Sequence, residues 1–159
     1  MLHRLIVLLC LWMFACAPSP AVSLTPTTSS TDTELEAAIQ QARSSLDTFI
    51  ATITTPHADR TFVALKVRFT PPGELPQDIW VDEVIYTDGV LRGNVGDDIP
   101  ALRLEAGEKI TVGEEDILDW MIVEDGKLIG GYTIRLAVQR MSPEERERFF
   151  ETLDYTIED

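Results

Sequence analysis

Ile117-Leu118-Asp119-Trp120-Met121-Ile122-Val123-Glu124-Asp125-Gly126-Lys127-Leu128-Ile129-Gly130-Gly131-Tyr132-Thr133-Ile134-Arg135 is the stretch on which the fold turns. An apolar run of strand length meets Asp125-Gly126, a dipeptide that tolerates the left-handed backbone of a tight hairpin, and a short apolar segment returns from it. Gly130-Gly131 then reads as a tight strand-to-helix turn that only glycine tolerates. Beyond it, Ile134, Leu136 and Val138 alternate as in a strand, while Ile134, Ala137, Val138 and Met141 form a helical stripe; helix is the preferred reading. Ser142-Pro143-Glu144-Glu145 is a helix start, with Ser at the cap, Pro at the first position and Glu at the third. Phe149, Phe150 and Leu153 are expected to form the buried face of that last helix.

Working upstream, Ile79 to Tyr86, then Thr87-Asp88-Gly89, then Val90 to Gly93 form another Asp-Gly hairpin, preceded by a strand at Phe62–Phe69 that Pro71-Pro72-Gly73 stops. Lys109-Ile110-Thr111-Val112 is a further short strand. Leu35, Ala38, Ile39, Ala42, Leu46, Phe49, Ile50 and Ile53 recur at steps of three and four, which predicts one amphipathic helix of about twenty residues. Thr33 and Glu36 form a capping box at its start, and Pro56 closes it. The apolar stripe needs a surface to pack on, so the expected fold is α+β: a curved antiparallel sheet built from hairpins, an N-terminal amphipathic helix and short C-terminal helices.

The remainder of the chain carries an address. Only His3 and Arg4 are polar among residues 1–16, as in the charged and apolar regions of a secretory signal. The apolar run from Leu5 to Ala17 spans roughly 20 Å as a helix, short of a bilayer core of about 30 Å. Met13-Phe14-Ala15-Cys16 resembles a bacterial lipobox, which implies a diacylglycerol on the Cys16 thiol and cleavage after Ala15. Ala17, rather than Asp, follows and removes one retention cue for the inner membrane. Residues 17–31, with Pro18, Pro20, Pro26 and no charge, read as a disordered Pro/Ser/Thr tether. The organisation expected is a signal peptide at 1–15, lipidated Cys16 and tether at 16–31, and a single domain at 32–159. Both cysteines, Cys10 and Cys16, lie in the leader, so a thiol nucleophile, a zinc–thiolate site and a disulfide are excluded beyond it.

The chain has 159 residues, with 27 Asp and Glu against 13 Lys and Arg and a net charge of −14. Nucleic acid is thereby excluded as a partner, since phosphates are bound by clustered cations, and a protein with a basic surface is favoured instead. No nucleophile elbow is present, and His57, in Pro56-His57-Ala58-Asp59, reads as a loop residue. No His pair stands at ligand spacing, and neither Glu114-Glu115-Asp116 nor Asp97-Asp98 matches a calcium loop; no catalytic residue, metal or cofactor is assigned. Trp80 and Trp120 each sit in a strand beside an acid, Asp82 and Asp119. They either line a shared groove or fill the core, where an indole N–H finds an acceptor.

These pieces, in this order, resemble the YegJ-like domain, a bacterial family of unknown function. The resemblance is carried by Lys66-Val67-Arg68-Phe69, Trp80-Val81, Gly89 with Leu91-Arg92-Gly93-Asn94, Leu104 with Gly107-Glu108-Lys109-Ile110, Ile117-Leu118-Asp119-Trp120-Met121 and, most distinctively, Gly130-Gly131-Tyr132-Thr133-Ile134-Arg135. It covers about residues 60–140. It implies that Asp119, Trp120, Gly130, Gly131, Tyr132 and Arg135 define the domain, and it supplies no activity. An ion pair between Arg135 and Asp119 is expected from their chemistry. The functional expectation is a non-catalytic binding module, lipid-anchored at the outer face of the cytoplasmic membrane or in the periplasm or outer membrane, with the Trp80/Trp120 region as its surface. An envelope enzyme acting through carboxylates and a ligand-free structural lipoprotein are the alternatives.

Overall fold

A computed structural model describes residues 30–71, 73 and 75–158. The expected signal peptide, the lipidated Cys16 and nearly all of the tether lie outside these residues. The chain forms α1 (Ser30–Ser44), α2 (Leu46–Thr54), β1 (Arg60–Phe69), β2 (Gln77–Thr87), β3 (Val90–Val95), β4 (Lys109–Val112), β5 (Ile117–Glu124), β6 (Lys127–Gly130), α3 (Tyr132–Arg140) and α4 (Pro143–Glu151). Short 3-10 turns precede β4 at Pro100–Leu102 and β5 at Glu114–Asp116. The strands make one open antiparallel sheet in the order β4-β3-β2-β1-β5-β6. The fold is thus α+β, and 132–140 resolves as helix.

Both hairpins turn on Asp-Gly with left-handed backbone, Asp88 and Gly89 at φ +54° and +77°, Asp125 and Gly126 at +52° and +69°. That pattern matches the strand twist in a two-residue turn. Strand β1 lies between the two hairpins and pairs with β2 through Leu65–Val81 and with β5 through Leu65–Trp120. Bulges in β1–β5 and at Glu83 in β2, where φ is +48°, interrupt the ladders and curve the sheet.

One face of the sheet carries the main core. Leu65, Val67, Ile79, Val81, Leu91, Ile117, Trp120 and Ile122 meet Ala42, Leu46 and Phe49 from α1 and α2. On the other face a smaller cluster lies over β1, β5 and β6, where Ala64, Met121, Val123 and Leu128 pack with Ile134, Tyr155, Ile157 and, from β2, Trp80. Strand β5 is therefore covered on both sides, and every residue from Ile117 to Val123, Asp119 among them, is buried.

The N-terminal helix departs from expectation. It starts at Ser30, ahead of Thr33, and breaks at Ser45 into two. The Ser45 hydroxyl bonds back to the carbonyls of Gln41 (2.9 Å) and Ala42 (3.0 Å), a local competition that bends helices. The C-terminal helix starts where expected, with the Ser142/Glu145 capping box formed. Its apolar face, however, is not buried: Phe149 is half-buried and Phe150 is exposed. Among the described residues no helix is long and apolar enough to cross a membrane.

Candidate functional site

Six of the singled-out residues converge on one joint. Trp120 is 2% exposed, and its indole N–H donates to the Ala42 carbonyl (3.0 Å) and the Ser45 hydroxyl (3.1 Å), anchoring β5 to the helix break. Its ring packs on Phe49 at 5.4 Å and edge-to-face on Tyr132 at 5.8 Å, and the Tyr132 and Ser45 hydroxyls lie within hydrogen-bond distance of each other (3.0 Å). Gly130 and Gly131 hold φ of +74° and +66° beside that ring. A Cβ on Gly130 would stand 2.4 Å from the Trp120 ring, and one on Gly131 would stand 2.7 Å from Leu128. The glycine turn is thus required twice over, by dihedral and by space.

The residue at the cap of α3 is Gly131, which has no side chain to satisfy the first helical N–H groups. Asp119 does so from β5. One oxygen accepts from the N–H of Trp120 (2.8 Å) and Tyr132 (3.1 Å), the other from the N–H and hydroxyl of Thr133 (both 2.7 Å). The carboxylate is completely buried, facing the positive end of a helix. Four donors occupy its acceptor positions, so Asp119 works as a structural acceptor and has no free lone pair aimed at a substrate.

Arg135 does not pair with Asp119. Its guanidinium donates instead to the carbonyls of Gly130 (2.8 Å), Leu128 (2.9 Å) and Glu158, binding the outer edge of β6 to the C-terminal segment. The planar fork reaches three carbonyls at once, whereas the carboxylate is already saturated by three backbone N–H groups and the Thr133 hydroxyl.

Trp80 and Trp120 do not share a groove. Ile79 and Val81 point into the main core, so Trp80, between them, points to the opposite face from Trp120. There it lines a groove of about 590 Å³ with Phe62, Met121, Val123, Ile134, Phe149, Leu153 and Tyr155; Thr61 and Asp154 are its polar members. Phe62 is 42% exposed and Trp80 is half-buried. Burial, and secondarily the Asp154 carboxylate, raises the Tyr155 phenol above its ordinary pKa, so it stays a neutral donor in this apolar setting. The groove members Phe62 and Met121 were missed by the sequence reading. The phase of alternation in β1 places Phe62 with Ala64 rather than with Leu65, but nothing local reveals that α4 leaves this face open.

The family model described as "Uncharacterized protein conserved in bacteria (DUF2314)" matches residues 32–155. The chain is 33% identical to the uncharacterized protein YegJ of Escherichia coli (strain K12) over 136 residues, 84% of this chain and 86% of that protein. It is 35% identical over 92 residues to a Neisseria meningitidis serogroup B protein named "Putative ankyrin repeat protein", covering 54% of this chain and 35% of that one. No solved structure matches it significantly.

Proposed function

The chain belongs to DUF2314, a bacterial family of uncharacterized proteins, and with no activity inherited from that membership we propose that it is a non-catalytic binding module, held at the cell envelope by a lipid on Cys16. The observation that carries the binding reading is the Trp80 groove. Most of its members are apolar or aromatic side chains, and it lies on a sheet face that the chain's own helices leave partly open. A half-buried Trp beside an exposed Phe is the composition of an interface centre rather than of a finished core.

The occupant that fits is a protein segment with apolar side chains and flanking Lys or Arg. The groove is bordered by Asp154 and by α4, whose Glu144, Glu145, Glu147 and Glu151 outnumber Arg146 and Arg148, and the whole chain carries a net charge of −14. The address rests on the Leu5–Ala17 run, the Met13-Phe14-Ala15-Cys16 motif and the uncharged tether behind it. Anchoring would hold the groove within tether's reach of the membrane, raising the effective concentration of any envelope partner.

Both parts are testable on the full chain. A designed Leu/Lys amphipathic peptide should bind more tightly than its Leu/Glu counterpart, weaken with added salt, and lose about tenfold or more in affinity on Trp80→Ala. Equal binding of both peptides, or an unchanged affinity for the variant, refutes the groove. Cys16→Ser should abolish detergent-phase partitioning and the mass of a lipid adduct; unchanged partitioning and mass refute the anchor.

A further inference from the structure

The one histidine outside the leader, His57, lies in the loop between α2 and β1, far in sequence from the acids it meets. Its Nε2 is 3.6 Å from Glu124 Oε1 and 3.8 Å from Asp125 Oδ2, and the three donor atoms all lie within 4.8 Å of one another. These separations are too long for hydrogen bonds, which close to about 2.7–3.2 Å. The two His57 distances are near the ligand-to-ligand edge of a tetrahedron with bonds of about 2.0–2.1 Å, which is roughly 3.4 Å.

The frame around the three donors is held from both sides. Arg60 donates through Nε (3.0 Å) and Nη2 (2.8 Å) to Glu124 Oε2 alone, which leaves Oε1 turned towards His57, and its Nη1 bonds the Thr55 carbonyl (3.0 Å). The Asp125 N–H donates to the Asp59 carbonyl (3.1 Å), pinning the hairpin turn to the His57 loop. Carboxylates that ligate metals are themselves held by outer hydrogen bonds, the part Arg60 takes here. His57, Arg60 and Glu124 also border a cleft of about 530 Å³ against α2, into which a further coordination position would open.

We propose that His57, Glu124 and Asp125 form a binding site for one first-row divalent cation of the zinc class, with open coordination facing the α2 cleft. One imidazole nitrogen and two carboxylate oxygens suit Zn²⁺, Co²⁺ or Mn²⁺ rather than a thiolate-seeking ion. The site is separate from the Trp80 groove and stands or falls independently of it.

The test is titration of the untagged full chain with Zn²⁺, and with Co²⁺ as a spectroscopic probe, in metal-free buffer. One equivalent should bind, Co²⁺ should acquire the visible absorption of a low-coordinate site, and Zn²⁺ should raise the melting temperature. His57→Ala and Asp125→Asn, both on exposed turns, should each weaken binding by about tenfold or more, while Asp97→Asn should leave it unchanged. No saturable binding up to about 1 mM, the weak end of natural divalent sites, overturns the proposal. So does a His57→Ala variant that binds like the parent chain, with circular dichroism confirming that it is folded.

Discussion

Two glycines in the same stretch separate dihedral strain from steric exclusion. Gly126, with φ +69°, has open space where a Cβ would go, whereas Gly130 has the Trp120 ring and carbonyl there. Gly126→Ala should therefore cost about 1 kcal/mol, the left-handed penalty alone. Gly130→Ala should cost about 3 kcal/mol or more, since strain and overpacking act together. Urea melts of the two variants check the difference, and equal losses would show that the joint yields. Asp119→Asn keeps the size of the side chain but loses acceptor capacity facing four donors; a loss of roughly 1–3 kcal/mol is expected, with the α3 amides losing hydrogen-exchange protection first. Tyr155 gives a pH signature. Its folded pKa is raised above 10.0, so the folded state holds the phenolic proton more tightly than the unfolded chain does. Its contribution to stability is complete below the unfolded value and declines as pH rises from about 10 through the raised folded value. Tyr155→Phe should flatten the alkaline part of a stability–pH curve.

At the level of elements, the features that rest on neighbouring residues are legible in the sequence. The Asp-Gly turns, the bounds of β4 and β6 and the Ser142/Glu145 box all depend on residues a few positions apart. The break at Ser45 is only half local: its bonds back to Gln41 and Ala42 lie within one turn, but its hydroxyl also meets Trp120 and Tyr132, which no local pattern links to a serine in an otherwise regular apolar stripe. The two tryptophans show the same division. In β2, buried Ile79 and Val81 set the phase and put Trp80 on the far side, but β5 is buried on both faces, so its run of burial conceals which way Trp120 points. The expected burial of Phe149 and Phe150 failed because periodicity identifies an apolar face without saying what covers it. The capping box of α4 carries a prediction of its own. The backbone N–H and hydroxyl of Ser142 hold Glu145 below its ordinary pKa, so its contribution is present above about pH 4.5 and is lost as pH falls through the lowered value. Ser142→Ala should remove the cap, lower stability by about 1 kcal/mol and shift Glu145 back up, as carboxylate NMR would show.

Across the whole molecule, the open sheet has two unequal edges. Strand β6 is covered: the Leu128 N–H donates to the Thr156 carbonyl (2.9 Å), the Thr156 N–H to Gly126 (2.8 Å), and Arg135 takes the outer carbonyls. Removing residues 154–159 should expose that edge and one wall of the Trp80 groove together, giving a lower melting temperature and concentration-dependent association in light scattering. The strand order itself was hidden in the sequence, since nothing local announces that β1 joins the two hairpins. That placement has a consequence for the birth of the protein. As the chain emerges N-terminus first, β1 through β4 can form a meander, but the second long side of β1 remains unpaired until β5 has been made. For that interval the segment Arg60–Phe69 is a bare apolar edge in the nascent chain. A ribosome-stalled chain in which β5 is still inside the exit tunnel should therefore recruit chaperones, and one lengthened by a C-terminal linker until Gly130 has cleared the tunnel should release them.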